Sequence, residues 1–356
     1  MSTLSTLPLL AASGLVGALF GAVLHRGRFC TMGAVADIVT MNDWTRMRIW
    51  LLAIATAIAG LHAGALMLGW DISSTLYASA RVYWLSHLTG GFLFGCGMVL
   101  ASGCGSQTLM RMGAGNLKSA VVALIMAVSA LASLKGLLAL PRVEWFNVVF
   151  IEVQGAATLP AILSGHPSNT VAFLVAALLA TLALASRAMW QFRHWATGLA
   201  LGLLVTTAWY LTLQTGFVAE NPDTLEPLWL GTYTGRPEAL TFTAPMAHWL
   251  EWLTLTSDGT KRVTMGMSAA LGVVLGAFIS ARLKGKLHIE GFRQTSDLKR
   301  HLAGGVLMGF GAVLGLGCSI GQGLTGVSTL SIGSLITLLA IVAGAVWQLR
   351  RDLRNV

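Results

Sequence analysis

The sequence predicts an all-α polytopic membrane protein with about nine transmembrane helices, re-entrant half-helices and an inverted internal repeat. Of the 356 residues, 55% are hydrophobic and only 10% are charged, whereas a typical soluble protein carries about 25% charged residues. The mean hydropathy is +0.73. Long uncharged apolar runs recur along the chain, and helices are the structures that such runs form in a bilayer.

The repeat consists of two copies of an eighteen-residue segment. The first copy, 87–104, reads HLTGGFLFGCGMVLASGC, and the second, 301–318, reads HLAGGVLMGFGAVLGLGC. Eleven of the eighteen positions are identical, including the final cysteine, so we interpret the pair as an internal repeat. Both copies carry glycines on a four-residue spacing, which lets another helix backbone come close.

Each copy is predicted to be an apolar helix that breaks at its final Gly-Cys and continues with small polar residues. The continuations are Gly-Ser-Gln-Thr at 105–108 and Ser-Ile-Gly-Gln at 319–322. Broken, glycine-rich segments at matching positions of two halves indicate the binding site of a transporter. The repeat halves are predicted to cover roughly 1–134 and 169–348 of one transmembrane domain.

The sequence predicts nine membrane-crossing helices. Each apolar run is accepted or rejected by comparing its length as a helix with a bilayer core of about 30 Å. The nine are 8–24, 48–69, 87–101, 117–134, 169–186, 195–215, 263–281, 301–316 and a last helix that ends near residue 348. The run 31–41 would be only about 16 Å long as a helix and is predicted to be a half-helix. No Lys or Arg precedes His25, so the first run is predicted to be a retained helix and not a cleaved signal peptide.

The distribution of positive charge predicts the orientation in the membrane. With nine crossings and a cytoplasmic C-terminus, 17 basic residues lie on the inner face and six on the outer face. This asymmetry favours an external N-terminus and a cytoplasmic C-terminus. The two copies of the repeat then cross in opposite directions, so their breaks enter the membrane from opposite faces.

The breaks could bind an anion without a charged side chain. A half-helix directs unpaired backbone N–H groups and a positive dipole end at the protein centre. Glycine allows a ligand to approach the backbone, and a thiol adds a soft sulfur with a weak S–H donor. We therefore expect functional roles for Cys104 and Cys318 and a ligand with an oxyanion end and a sulfur end. Cys96 is expected to be a packed residue, because Phe310 replaces it in the second copy.

Three cysteine motifs in order give the chain a family resemblance. Arg26-Gly27-Arg28-Phe29-Cys30, Ser102-Gly103-Cys104 and Gly317-Cys318-Ser319-Ile320-Gly321 resemble the motifs of the YeeE/YedE family of bacterial inner-membrane transporters. The resemblance implies an hourglass-like fold with loops buried toward its centre, and cysteines that hand thiosulfate along by S–H contacts. Some members of that family are tied to selenium or to sulfur carrier proteins, so the cargo stays open.

The expected substrate-binding residues combine the motifs with the residues that follow each break. They are Cys30, Cys104, Cys318, Gly103, Gly105, Ser106, Gly317, Ser319, Gly321 and Gln322. Their expected order from outside to inside is Cys318, Cys104 and Cys30. No cofactor is expected, and no Cys/His set has the spacing of a zinc site.

Two further segments allow more than one interpretation. Asp37 lies two helical turns after Cys30; it is a candidate for proton coupling and could equally anchor Arg26 or Arg28. The basic loop 282–300 is most simply a topology signal, and the alternative is a docking site for a small cytosolic sulfur carrier protein.

The function predicted is uptake of thiosulfate or a related sulfur-containing anion. The alternatives are a transporter of a selenium compound and a membrane sulfurtransferase or thiol oxidoreductase that uses a cysteine persulfide. An enzyme would need a general base near the thiol. No His, Lys or Glu adjoins Cys104 or Cys318, which argues against an enzyme.

Overall fold

A computed structural model of the chain describes residues 3–164, 169–220, 227–258, 262–285, 287, 289–292 and 294–354. These residues are almost entirely helical. Two short antiparallel ladders interrupt the helices: β1 (Arg81–Val82) pairs with β2 (Ile151–Glu152), and β3 (Phe217–Val218) pairs with β4 (Leu228–Trp229). The predicted fold class, an all-α polytopic membrane protein, is confirmed.

Fourteen α-helices are formed by the described residues. They are α1 (Thr3–Gly27), α2 (Thr31–Met41), α3 (Thr45–Leu68), α4 (Trp84–Leu100), α5 (Gly105–Gly113), α6 (Leu117–Lys135), α7 (Ala139–Pro141), α8 (Leu159–Ser164), α9 (Asn169–Leu184), α10 (Phe192–Tyr210), α11 (Thr243–Thr254), α12 (Met265–Leu283), α13 (Thr295–Leu314) and α14 (Ile332–Arg354). Three π-helical segments lie at Arg142–Phe146, Leu211–Thr215 and Gly321–Gly326.

Seven helical segments are long and apolar enough to cross a membrane within the described part of the chain. They are Thr6–Met41, Thr45–Leu68, Trp84–Gly113, Leu117–Lys135, Phe192–Thr215, Met265–Leu283 and Ile332–Arg354. Helix α9 is apolar but shorter, and α13 begins with a charged turn that contains Asp297, Lys299 and Arg300. The count of nine crossings therefore stays a prediction.

Most predicted element bounds agree with the structure, and the predicted helix at 31–41 is observed as α2 with the same bounds. Its re-entrant position in the membrane stays a prediction. The repeated helices begin earlier than the sequence predicted, at Trp84 and Thr295, so His87 and His301 lie inside them. The predicted half-helix after Cys318 begins with the π-helical turn Gly321–Gly326. Three of the six residues in this turn are glycines, and π-helical turns are frequent at functional sites.

Glycines in the two repeated helices allow close packing at the centre of the bundle. A Cβ atom on Gly95 of α4 would lie 2.2 Å from the carbonyl oxygen of Ile341 in α14, and one on Gly309 of α13 would lie 2.5 Å from that of Met126 in α6. The repeated helices also meet each other, because a Cβ on Gly97 would lie 2.8 Å from the carbonyl oxygen of Gly304. The predicted role of the four-residue glycine spacing is confirmed.

Two further helix pairs flank this core, α1 with α12 and α3 with α10. A Cβ on Gly276 of α12 would meet the Ala18 carbonyl of α1, and one on Gly202 of α10 would lie 2.7 Å from the Ala53 carbonyl oxygen of α3. Close packing of all these helices leaves the three cysteine breaks in the interior.

Candidate functional site

The three cysteine breaks share one backbone conformation. Arg28, Ser102 and Leu316 each lie two residues before a cysteine, and their φ angles are 53°, 58° and 56°. A positive φ is uncommon in residues other than glycine, and it is held only where the surrounding structure compensates. Each break therefore reverses the chain in the same way and delivers its cysteine to the start of the next helical turn.

Polar side chains hold two of these reversals in place. The Arg111 guanidinium donates to the carbonyl oxygen of Ser102 at 2.6 Å, and the Gln322 amide donates to the carbonyl oxygen of Leu316 at 2.9 Å. Gln322, which we expected to bind substrate, thus also supports its own loop. Its other amide atom, Oε1, is buried without a hydrogen-bond partner.

Cys30 and Cys318 cap the helical turns that follow them. The Cys30 Sγ accepts a hydrogen bond from the backbone N–H of Gly33, and the Cys318 Sγ accepts one from Gly321, both at 3.4 Å. The Cys104 Sγ lies 3.4 Å from the Ser106 hydroxyl instead. Because an N–H group points at the sulfur of Cys30 and Cys318, each S–H proton is left to donate elsewhere.

The structure brings the three thiols together in a series. Cys30 and Gln107, which lies three residues after Cys104, line the same cavity. A Cβ on Gly105 would lie 3.9 Å from the Cβ of Cys318. All three cysteines are free and buried, with exposed fractions of 7% for Cys30, 1% for Cys104 and 0% for Cys318.

Buried hydroxyl groups next to the cysteines lack partners. The Thr31 and Ser319 hydroxyls are fully buried and make no hydrogen bond within the described structure. A buried polar group without a partner costs free energy, so these hydroxyls are suited to bind a ligand. The sequence analysis missed Thr31, although a hydroxyl residue directly after Cys30 matches Ser319 after Cys318.

A basic cavity of about 800 Å³ leads to Cys30. Its basic lining residues are His25, Arg26, Arg28, Arg46, Arg111, Arg193 and Lys284. Asp37 is the single acidic residue among the described residues that line it. The cavity therefore carries a strong excess of positive charge, which attracts and concentrates anions.

Asp37 pairs with an arginine that the sequence analysis did not consider. Its carboxylate lies 3.1 Å from the Nε of Arg46, and its side chain is 18% exposed. The expected alternative partners, Arg26 and Arg28, were wrong, because Arg46 at the start of α3 folds back over α2. There its guanidinium packs against Gly33, beside Cys30.

Cys96 lies outside this site. Its thiol donates to the carbonyl oxygen of Gly344 at 3.4 Å, between α4 and α14. This contact agrees with its expected packing role.

The connection between α12 and α13 is tied to α6. Lys118 forms ion pairs with Glu290 at 3.4 Å and with Asp297 at 2.9 Å, and the N–H of Leu117 donates to the Glu290 carbonyl oxygen. Lys118, Glu290 and Asp297 line a second cavity of about 500 Å³, together with Arg111 and His301.

Comparison with known proteins gives the site a context. The sequence profile of a family described as sulphur transport matches residues 26–347. The chain is 28% identical over 354 residues to the thiosulfate transporter TsuA of Escherichia coli, covering 94% of this chain and 92% of that protein. It is 27% identical over 348 residues to the thiosulfate transporter TsuA of Spirochaeta thermophila, covering 93% of this chain and 95% of the relative.

Proposed function

Because the chain belongs to the sulphur transport family, we propose that it takes up thiosulfate, or a closely related sulfur-containing anion, across the bacterial inner membrane. The single observation that carries this proposal is that the breaks of Cys30, Cys104 and Cys318 lie close together at the inner end of a basic cavity. Two relatives that are named thiosulfate transporters and match more than nine-tenths of the chain support the choice of cargo.

The three thiols act as neutral hydrogen-bond donors along the pathway. Thiosulfate is a dianion, and a thiolate in its path would repel it strongly at low dielectric. A neutral S–H group donates to the terminal sulfur or the oxygens of the ligand instead. The helical turns after the cysteines supply charge stabilisation through their N-terminal N–H groups, and the Thr31 and Ser319 hydroxyls add two donors.

The proposed path runs from Cys318 on the outer side through Cys104 to Cys30. Cys30 opens into the basic cavity, whose arginines belong to the set that the positive-inside rule assigns to the cytoplasmic face. This orientation gives an external N-terminus and a cytoplasmic C-terminus. A docking role of the loop 282–300 for a small cytosolic sulfur carrier is compatible with the same orientation.

Asp37 is the proposed coupling residue, through its ion pair with Arg46. An anion that leaves Cys30 would meet the Arg46 guanidinium, which packs against Gly33. As Arg46 turns to the anion, it leaves the Asp37 carboxylate, so the anion and Asp37 compete for one guanidinium. This exchange would couple passage of the anion to Asp37.

Uptake by the purified protein in proteoliposomes tests this proposal. We expect radiolabelled thiosulfate to accumulate inside vesicles that contain the protein, and excess unlabelled thiosulfate to compete with it. Vesicles that contain the Cys104→Ala protein are the matched control. Equal accumulation in the two preparations would contradict the cysteine pathway, and no accumulation with the wild-type protein would contradict thiosulfate transport.

A further inference from the structure

The amino-terminal end of α11 packs beside the breaks that carry Cys104 and Cys318. Thr243 is the first residue of this helix and is fully buried, and Thr241, two residues earlier, is 5% exposed. The sequence analysis assigned no function to this segment. The contacts of these two threonines link the helix to both copies of the repeated break.

Each threonine approaches a different break. The Thr241 Oγ1 lies 4.0 Å from the Cys318 Sγ, and a Cβ on Gly321 would lie 2.6 Å from the same Oγ1. A Cβ on Gly105, which follows Cys104, would lie 3.1 Å from the Thr243 Oγ1. The two hydroxyls therefore border the space between Cys318 and Cys104.

The segment that carries these threonines is fixed by its neighbours. The Thr325 hydroxyl donates to the Leu240 carbonyl oxygen at 2.7 Å. The Phe242 ring, buried between the two threonines, packs against Phe20 at a centroid distance of 5.5 Å. The hydroxyls are thus held in position before any ligand arrives.

Sulfur atoms are the hydrogen-bond partners that the described residues offer to these hydroxyls. Thr241 has the Cys318 thiol at 4.0 Å, and Thr243 donates to the Met126 Sδ at 3.8 Å. Sulfur is a weak acceptor, so both hydroxyl protons lack a strong partner in a buried site. The Ser319 hydroxyl, directly after Cys318, is fully buried without a hydrogen-bond partner and independently points to a ligand there.

We propose that Thr241 and Thr243 donate hydrogen bonds to the oxyanion end of the transported anion as its terminal sulfur passes from Cys318 to Cys104. The ligand class is a tetrahedral oxyanion with one soft terminal atom. This inference rests on the proposed function and adds two residues that determine specificity to it. The threonine hydroxyls would contact the oxyanion end of the ligand and the cysteine thiols its terminal sulfur. The two sets of donors would therefore fix the orientation of the ligand.

Isosteric substitution in the proteoliposome assay tests this inference. Thr241→Val keeps the shape of the side chain and removes the donor, so we expect the KM for thiosulfate to rise about tenfold, the effect of losing one hydrogen bond to a charged ligand. The maximal rate should change less than the KM. Thr241→Ser should restore a KM close to that of the wild type, and Thr243→Val should behave like Thr241→Val.

Thr254→Val is the matched control, because Thr254 is an exposed threonine on the same helix; its KM should equal that of the wild type. An unchanged KM in both Thr241→Val and Thr243→Val would overturn the inference while leaving the proposed function intact. A Thr241→Ser protein as impaired as Thr241→Val would also overturn it, because packing and not the hydroxyl would then matter. Absence of uptake by the wild-type protein would instead overturn the proposed function.

Discussion

The same local backbone contacts hold Cys30 and Cys318 in place, although the two residues lie in distant parts of the chain. Each follows a residue in the left-handed region by two positions, and each sulfur accepts a backbone N–H from three residues later. Cys104 has the same backbone reversal but meets the Ser106 hydroxyl. In Cys30 and Cys318 these contacts leave the S–H proton available to donate, which is the property that the proposed transport of a dianion requires.

Removal of the thiols should separate pathway residues from packing residues. We expect Cys104→Ala and Cys318→Ala each to lower uptake at least about tenfold, the factor for one lost hydrogen bond to a charged ligand. Both variants should remain folded, because a methyl group fills part of the space of the thiol. Uptake into proteoliposomes and size-exclusion chromatography in detergent measure the two properties.

Cys96→Ala is the matched control for that comparison. The Cys96 thiol donates to the Gly344 carbonyl oxygen between α4 and α14, away from the three breaks, so uptake by this variant should match that of the wild type. Normal uptake by Cys104→Ala or Cys318→Ala would remove that cysteine from the pathway.

The position of Asp37 predicts a dependence on the proton gradient. We expect an inwardly directed proton gradient to stimulate uptake by the wild-type protein, because a carboxylate within a membrane segment is suited to carry a proton in the same direction as the anion. Asp37→Asn cannot bind that proton and should lose the stimulation. Initial uptake rates with and without a gradient provide the measurement.

Asp43 offers a control on the same α2–α3 connection. Hydrogen bonds from Thr45 hold the pKa of the exposed Asp43 below its ordinary value, so this carboxylate stays charged between about pH 5 and 8. Asp43→Asn should therefore keep the response to the gradient. An Asp37→Asn protein that still responds would exclude Asp37 as the coupling residue.

At the scale of elements, glycine contacts set the distance between the repeated helices. A Cβ on Gly97 would lie 2.8 Å from both the Gly304 carbonyl oxygen and the Met308 backbone nitrogen. We expect Gly97→Val to destabilise the fold by about 1–3 kcal/mol through overpacking, seen as a lower midpoint of thermal unfolding in detergent. Gly291→Ala is the control, because no atom lies within 4 Å of the Cβ position of Gly291. If both substitutions lowered the unfolding midpoint equally, close packing at Gly97 would not be the cause.

The half-helices were the elements that the sequence predicted best. The run 31–41 is too short as a helix to cross a bilayer core of about 30 Å, and Cys30 and Asn42 cap the two ends of the helix. The π-helical turn Gly321–Gly326 and the role of α11 were not predictable in the same way. A π-helical turn depends on local hydrogen bonds that glycine merely permits, and Thr241 meets Cys318 only through tertiary packing.

The ion pair between Asp37 and Arg46 is another contact of the site that local sequence could not predict. Local spacing placed Asp37 two helical turns after Cys30, but Arg46 reaches it through the turn between α2 and α3. Several arginines lie at comparable distances along the sequence, so their order along the chain does not select the partner. The repeat and the motifs identified the three cysteines from the sequence. The hydrogen-bond donors that surround them could be identified only in the folded structure.

At the scale of the whole molecule, positive charge predicts how the protein lies in the membrane. The basic cavity beside Cys30 is lined by seven of the chain's basic or histidine side chains, and the positive-inside rule assigns such a surface to the cytoplasm. We expect a reporter fused after Val356 to read as cytoplasmic. A tag in the segment 220–238 should be accessible from outside, and a C-terminus outside would reverse the proposed order of the cysteines.

The central claim is that the anion passes the three thiols intact, without a covalent intermediate. Thiosulfate labelled with a stable isotope at its terminal sulfur tests this claim in a single experiment, because mass spectrometry of vesicles stopped during turnover reads both the contents and the protein. We predict intact labelled thiosulfate inside the vesicles and unmodified Cys30, Cys104 and Cys318. Labelled persulfide on Cys104 or Cys318, formed and discharged at the rate of uptake with release of sulfite, would contradict the account and indicate a sulfurtransferase.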